Sequence, residues 1–152
     1  MQEREVSFRL APRINAAGRM GEAKTALDLL LTEDAKTAFK LAESLSSLNT
    51  RRQKEEEALL NEALNFAKNN PQNGATVVWG DSWHQGVMGI VASKLISEFK
   101  QPAGVISFKG DVGKGSFRGV DGGNIMPPLT AVSYLLEGFG GHAGAAGIKI
   151  KR

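Results

Sequence analysis

Apolar positions recur at helical spacing through the first half of the chain and gather into short runs in the second. Leu41, Leu45 and Leu48 keep a four–three spacing, and Leu59, Ala63 and Phe66 repeat it. Between them, "NTRRQKEEE" is polar on every face. No Gly or Pro interrupts residues 33–70, so the pattern predicts one long helix, with Thr32 as N-cap and Glu33 and Asp34 in the first turn. A helix apolar at both ends and charged in the middle is expected to connect two globular bodies. An amphipathic helix lying on a single domain is the alternative. Upstream, "EVSFRLAP" reads as a short extended start, "RINAAGRMG" as an arginine-rich turn and "EAKTALDLLL" (22–31) as a short helix.

After Pro71 the period changes. "ATVVWG" (75–80), "AGVISF" (103–108), "GKGSFRG" (113–119) and "GIKIK" (147–151) read as strands. "GVMGIVASKLISEFK" (86–100) is a helix with Val87, Ile90, Val91, Leu95 and Phe99 on its apolar side. "PPLTAVSYLLEGF" (127–139) reads as another, with proline in the first turn where no N–H is needed. Strand–helix–strand spacing predicts an α/β fold: a small mixed sheet with flanking helices, preceded by the long connecting helix. Sixteen of the eighteen glycines follow Pro71, so "NNPQNG" (69–74) reads as a boundary. Three regions are expected: 1–32, 33–70 and 71–152. The ending at a strand end, in basic residues, reads as a cut within a longer protein.

Composition narrows the chemistry. With 152 residues, 41% hydrophobic and 23% charged, the chain is long enough for a real core. No cysteine is present, which excludes a disulfide framework, a zinc–thiolate site and a thiol nucleophile. The charged N-terminus is no signal peptide and no run of 18 apolar residues exists, so a cytoplasmic protein without membrane contact is expected. The net charge of +3 arises after residue 70, where eight basic residues face five acidic ones. That permits a polyanionic partner.

Four polar clusters are candidate sites. In "PRINAAGRM", Arg13 and Arg19 flank Asn15; arginine forks match phosphate oxygens, though a solvated surface turn is the plainer reading. In "WGDSWHQGVMGIVAS", His84 precedes a helix N-terminus, where anions are favoured. Trp83 beside it could stack on a base, or anchor the loop to the core. In "GDVGKGSFRG", Lys114, Ser116 and Arg118 alternate by two and so share one strand face, with Phe117 turned to the core. Two cations and a hydroxyl make a phosphate cradle, or simply a solvated strand face. In "LLEGFGGHAGAAG", His142 sits among eight glycines and alanines. Glycine is costly in regular structure, so Gly140 and Gly141 point either to close approach of an anion to the backbone or to a tight turn.

Hydrolytic machinery is missing. The sequence has no HExxH, no paired DxD, no Asp-His-His and no Gly-x-Ser-x-Gly, so no metal site is expected and the polar residues look like binding groups.

Taken in order, "LAPRINAAGRMG", "WHQGVMGIVASKL", "GKGSFR" and "LLEGFGGHAGAAG" resemble the RecJ family of single-stranded-DNA-specific exonucleases, in the DHH phosphoesterase superfamily. The resemblance runs from about Val6 to Ile150. It covers the long helix and the DHH-associated domain at the C-terminal part of the family's catalytic core. It implies a full enzyme that degrades single-stranded DNA from 5′ to 3′ using Mn²⁺ or Mg²⁺ held by an N-terminal DHH domain outside this sequence. It further implies that Arg13, Ser116, Arg118 and His142 contact substrate, with His142 as the catalytic member. Gln85 departs from the family, which usually has proline there. Two other readings stay open: a related DHH-superfamily phosphoesterase acting on short oligonucleotides or cyclic dinucleotides, and a non-catalytic nucleic-acid-binding or domain-docking module.

Overall fold

A computed structural model describes residues 3–152. The chain divides into two compact units, Met1–Glu55 and Glu56–Arg152, and the division falls inside the long helix.

The first unit is helical. A short turn, α1 (Glu3–Glu5), a wider π-type turn (Val6–Leu10) and α2 (Ala11–Arg19) follow one another without an extended segment. The extended start and arginine turn read from the sequence are therefore helix. Pro12 falls in the first turn of α2, where the wider π-type turn before it hands over to α-helix. Helix α3 (Ala23–Leu31) follows as expected. Ala17, Met20, Ala26, Leu45 and Leu48 form the core of this unit, with Ile14 and Leu29 packed against it.

Helix α4 (Ala35–Asn69) is the long helix. Its cap is Asp34 rather than Thr32: the Asp34 carboxylate accepts from the Thr37 N–H at 2.8 Å, while Thr32 Oγ1 accepts from the Asp34 N–H at 3.3 Å. Both residue types cap well, and the helix starts after the second. The polar middle of α4 is not solvated throughout. Glu56 is buried and takes the Lys94 ammonium at 2.6 Å.

The second unit is a five-stranded mixed sheet between helices, the architecture expected. Strands β1 (Thr76–Asp81) and β2 (Ala103–Lys109) are parallel and joined through α5 (Gln85–Phe99). Strand β3 (Val112–Arg118) returns antiparallel to β2. The final hairpin is β4 (Leu136–His142) and β5 (Ala145–Lys151), and β5 inserts beside β3 to give the order β1-β2-β3-β5-β4. The helix read over 127–139 is thus too long. Helix α6 (Met126–Ala131) stops after six residues, a 3₁₀ turn (Ser133–Leu135) follows, and the glycine-rich stretch is an edge strand. Gly138, Gly140 and Gly141 disfavour helix, and pairing with β5 gives the inward backbone groups of this stretch their partners.

Two cores flank the sheet. On one face, Val78, Ala103 and Val105 meet Val87, Val91 and Leu95 of α5 and Leu59, Ala63 and Ala67 of α4. On the other, Ile106, Phe108, Ala146 and Ile148 meet Ile125 and Leu129. The outer edge of β1 is occupied by a side chain: the Gln72 amide donates to the Val77 carbonyl and accepts from the Val77 N–H, both at 2.8 Å.

Candidate nucleic-acid interface

Strand pairing decides which residues share a face. Arg118 lies opposite Ala145, and Ala145 opposite His142; Ser116 lies opposite Gly147, and Gly147 opposite Gly140. Directly opposed residues project to the same side of a sheet. Arg118, Ser116, Gly140 and His142 therefore belong to one face, with two strand spacings, about 10 Å, between the Arg118 and His142 backbones. Helix α5 covers this face only as far as β3, and the part over β5 and β4 is open.

Ser116, Arg118, Gly140, Gly141, Ala145, Ala146 and Gly147 line a shallow open hollow of about 300 Å³. Its floor lacks side chains beyond Cβ except at Ser116 and Arg118. The Arg118 guanidinium is fixed: Nη1 donates to the Ser116 hydroxyl at 3.1 Å and to the Phe117 carbonyl at 2.8 Å. It lies against Gly89 of α5, where an added Cβ would stand 3.1 Å from Arg118 Cζ and closer still to Nη2. Sequence reasoning missed Gly89, although a glycine inside a helix was the available signal. Phe117 packs toward the opposite core, as expected from the alternation.

His142 stands at the end of β4, exposed, at the rim of the hollow rather than in its lining. Its Nδ1 accepts from the Gly144 N–H at 3.3 Å. In the neutral ring that bond places the proton on Nε2, leaving a donor available for an anion. The turn of this hairpin is Ala143–Gly144, so Gly140 and Gly141 are strand residues and not turn residues. Gly141 has φ +158, and a Cβ there would lie 2.5 Å from Ala146 Cα. At Gly140 a Cβ would meet nothing within 4 Å. Gly141 is thus demanded by packing, whereas Gly140 keeps the hollow open.

Lys114 shares the Ser116–Arg118 face but is exposed and opposes Lys149. Glu137 bonds Lys149 and Lys151 at 2.8 and 3.2 Å, and the Lys149 and Lys151 ammoniums hold its carboxyl below the usual range. The alternation in "GIKIK" was the signal for these lysines; nothing local marked their carboxylate partner.

His84 and Trp83 do not line the hollow. His84 is the N-cap of α5, and its Nδ1 accepts from the Gly86 N–H at 3.1 Å, so it fills the place at the helix end that an anion would take. Proline at 85 is not needed for this cap. Trp83 is an anchor: its indole N–H donates to Glu62 at 2.8 Å and its ring packs against the α5 core. Arg13, Asn15 and Arg19 all lie on α2, in the first unit. The Arg13 guanidinium donates to Ser46 Oγ at 3.1 Å and to the Arg9 carbonyl, and Asn15 and Arg19 are exposed. Glu5, Arg9, Leu10 and Arg13 line a second open hollow of about 300 Å³. Among the described residues no group of three or more His, Cys, Asp or Glu could hold a metal, and no helix is long and apolar enough to cross a membrane.

Comparison with known proteins bears out the resemblance carried by the four motifs. The DHHA1 domain profile matches residues 72–152. The chain is 40% identical over 152 residues to the single-stranded-DNA-specific exonuclease RecJ of Bacillus subtilis, covering 98% of this chain and 19% of that protein. It is 44% identical over 143 residues to the RecJ of Thermus thermophilus, covering 94% and 21%. The crystal structure of T. thermophilus RecJ in complex with Mg²⁺ superimposes with a TM-score of 0.87 at 43% identity, over 96% of this chain and 23% of that one. A structure of exonuclease RecJ bound to manganese gives 0.86 at 41% identity, over 98% and 37%. The chain spans about a fifth of the length of these curated relatives.

Proposed function

Since the chain belongs to the DHHA1 domain family, we propose that it is the substrate-binding part of a single-stranded-DNA-specific 5′–3′ exonuclease, holding the phosphate backbone of its substrate. The observation that carries this reading is the glycine-floored hollow with Ser116 and the fixed Arg118 guanidinium in it. A guanidinium and a hydroxyl offer directed donors to phosphate oxygens, and the glycines let the backbone come close. Arg118 binds and orients the phosphate, Ser116 donates a second bond, and His142 donates from Nε2 at the rim, where it would serve the phosphate that reacts. Arg13, Asn15 and Arg19 of the first unit are a separate set of candidate phosphate contacts.

On this reading 1–32 ends a preceding DHH-domain region, 33–70 connects, and 71–152 is the DHH-associated domain of a cytoplasmic enzyme. Leu27, Leu30 and Leu31, all exposed within the last two turns of α3, support a covering domain, because exposed apolar patches mark interfaces. The divalent metal named with the RecJ structures does not fit the described residues of this chain, so no hydrolytic step is derived from it.

The test is a binding measurement with 5′-phosphorylated single-stranded DNA, together with a cleavage assay in Mn²⁺. The chain should bind weakly and not cut. Arg118→Ala should cost about 1.5–3 kcal/mol of binding, as for a charged hydrogen bond. Cleavage that survives stringent purification, or binding indifferent to Arg118, would overturn the reading.

A further inference from the structure

We propose that Lys114 and Lys149 form a second phosphate-binding station on the open face of the sheet, and that Glu137 occupies it as a built-in anion until nucleic acid displaces it. The proposal rests on the reading that the Ser116–Arg118 hollow takes a phosphate.

The two lysines are directly opposite each other on β3 and β5. Like charges at facing strand positions are destabilising, and such a conflict with local rules is expected where a site needs it. Lys149 is relieved by Glu137, whereas Lys114 has no ion pair among the described residues. Two ammonium groups, those of Lys149 and Lys151, share one carboxylate, and Lys114 stands opposite Lys149 with no acid of its own among the described residues, leaving the cluster cationic.

Glu137 reaches this place through a bulge. Leu136 pairs with Ile150 and Gly138 with Lys149, so Glu137 is the extra residue between them. A bulge of this kind re-aims a side chain and recurs beside functional sites. Here it delivers a carboxylate to two ammonium groups, the geometry in which a phosphate oxygen would otherwise be held.

The station continues the track of the first. Lys114 is four residues from Arg118 on the same strand face, about 13 Å along it. Ser116 and Gly147 lie between, with no bulky side chain in the way. A single phosphate cannot occupy both stations, but an extended phosphodiester backbone can. The ligand class is therefore a single strand of several nucleotides rather than a mononucleotide.

The test uses the 152-residue chain and two fluorescent probes, a 5′-phosphorylated dinucleotide and an oligothymidylate of about ten nucleotides. Replacing Lys114 and Lys149 together by Gln should weaken the longer probe about fivefold or more and reduce the slope of log affinity against log salt by about 0.7 per lost phosphate contact. The dinucleotide should be unaffected. Glu137→Gln should tighten the longer probe only. Thermal unfolding by circular dichroism shows which variants are folded, and the Lys149→Gln single variant serves if the double one is not. If the lysine variants leave affinity and slope unchanged while Arg118→Ala weakens both probes, the second station is overturned and the first stands. If Arg118→Ala weakens neither, or the unaltered chain binds neither probe, the parent reading falls and this proposal with it. If Glu137→Gln fails to tighten the longer probe, the built-in anion is overturned.

Discussion

The Arg118 guanidinium occupies the space that a side chain at Gly89 would need. It is held there by the Ser116 hydroxyl and the Phe117 carbonyl, so a methyl group at position 89 has to expel the charged end of Arg118 from its fixed position.

Gly89→Ala should therefore weaken single-stranded DNA binding nearly as much as Arg118→Ala, although residue 89 does not line the hollow. Alanine gains about 1 kcal/mol of helix propensity, so thermal stability should change little. Binding titrations on both single variants and the double variant would decide this. Strictly additive losses would show that Gly89 does not act through Arg118.

The two glycines of β4 should respond in opposite ways. Gly141→Ala sets a Cβ against the backbone of Ala145 and Ala146, which cannot move aside without breaking the hairpin. A stability loss of about 1–3 kcal/mol is expected, as for overpacking. Gly140→Ala meets open space and should unfold like the unaltered chain, yet bind phosphate less well because the hollow is shallower. Chemical denaturation and binding, run on both variants, separate the two roles.

Glu56 should matter more to stability than its place in a charged run implies. Its carboxylate is buried and faces Lys94, itself half exposed. Glu56→Ala should destabilise the second unit by about 1–3 kcal/mol, as for a hydrogen bond to a charged group. Hydrogen exchange along α5 would register the change. Exchange rates that stay at those of the unaltered chain would mean that α4 and α5 are held by apolar contacts alone.

Acid should loosen the final hairpin. Lys149 and then Lys151 lower the Glu137 pKa from its ordinary value of 4.5. A carboxylate with a depressed folded-state pKa stabilises above its unfolded value and loses that contribution as pH falls through the folded one. Melting temperature should thus fall as pH drops below about 4.5, and Glu137→Gln should flatten that part of the profile. An unchanged acid limb in the variant would show that other carboxylates account for it; Asp34, held low by its bonds to Thr37, is the first to test.

Elements defined by periodicity are legible in the sequence. Val87, Val91 and Leu95, or Leu45 and Leu48, report a buried face through their spacing alone. The end of α6 was not legible, since Leu135 and Leu136 continue an apolar helical pattern and only pairing with β5, remote in sequence, selects strand. The same holds within the hollow. The shared face of Ser116 and Arg118 follows from a period of two, but Gly89 acquires its meaning from Arg118, and Glu137 reaches Lys149 only through a bulge. His142 stood out by its surroundings, yet its place in an edge strand required the sheet order.

The Gln72 amide on Val77 has a consequence for how the protein behaves in concentrated solution. A sheet edge with free N–H and C=O groups is a template for another chain, and uncontrolled growth at such edges leads to aggregates. On β1 the two outward groups of Val77 are already paired with a side chain, so that edge cannot recruit a foreign strand there without first ejecting the glutamine. The opposite edge, β4, is broken by its bulge and carries three glycines and a histidine instead of a flat apolar row. Gln72→Ala should therefore lower the concentration at which the protein first precipitates, by unmasking a short strand whose Trp79 is half exposed.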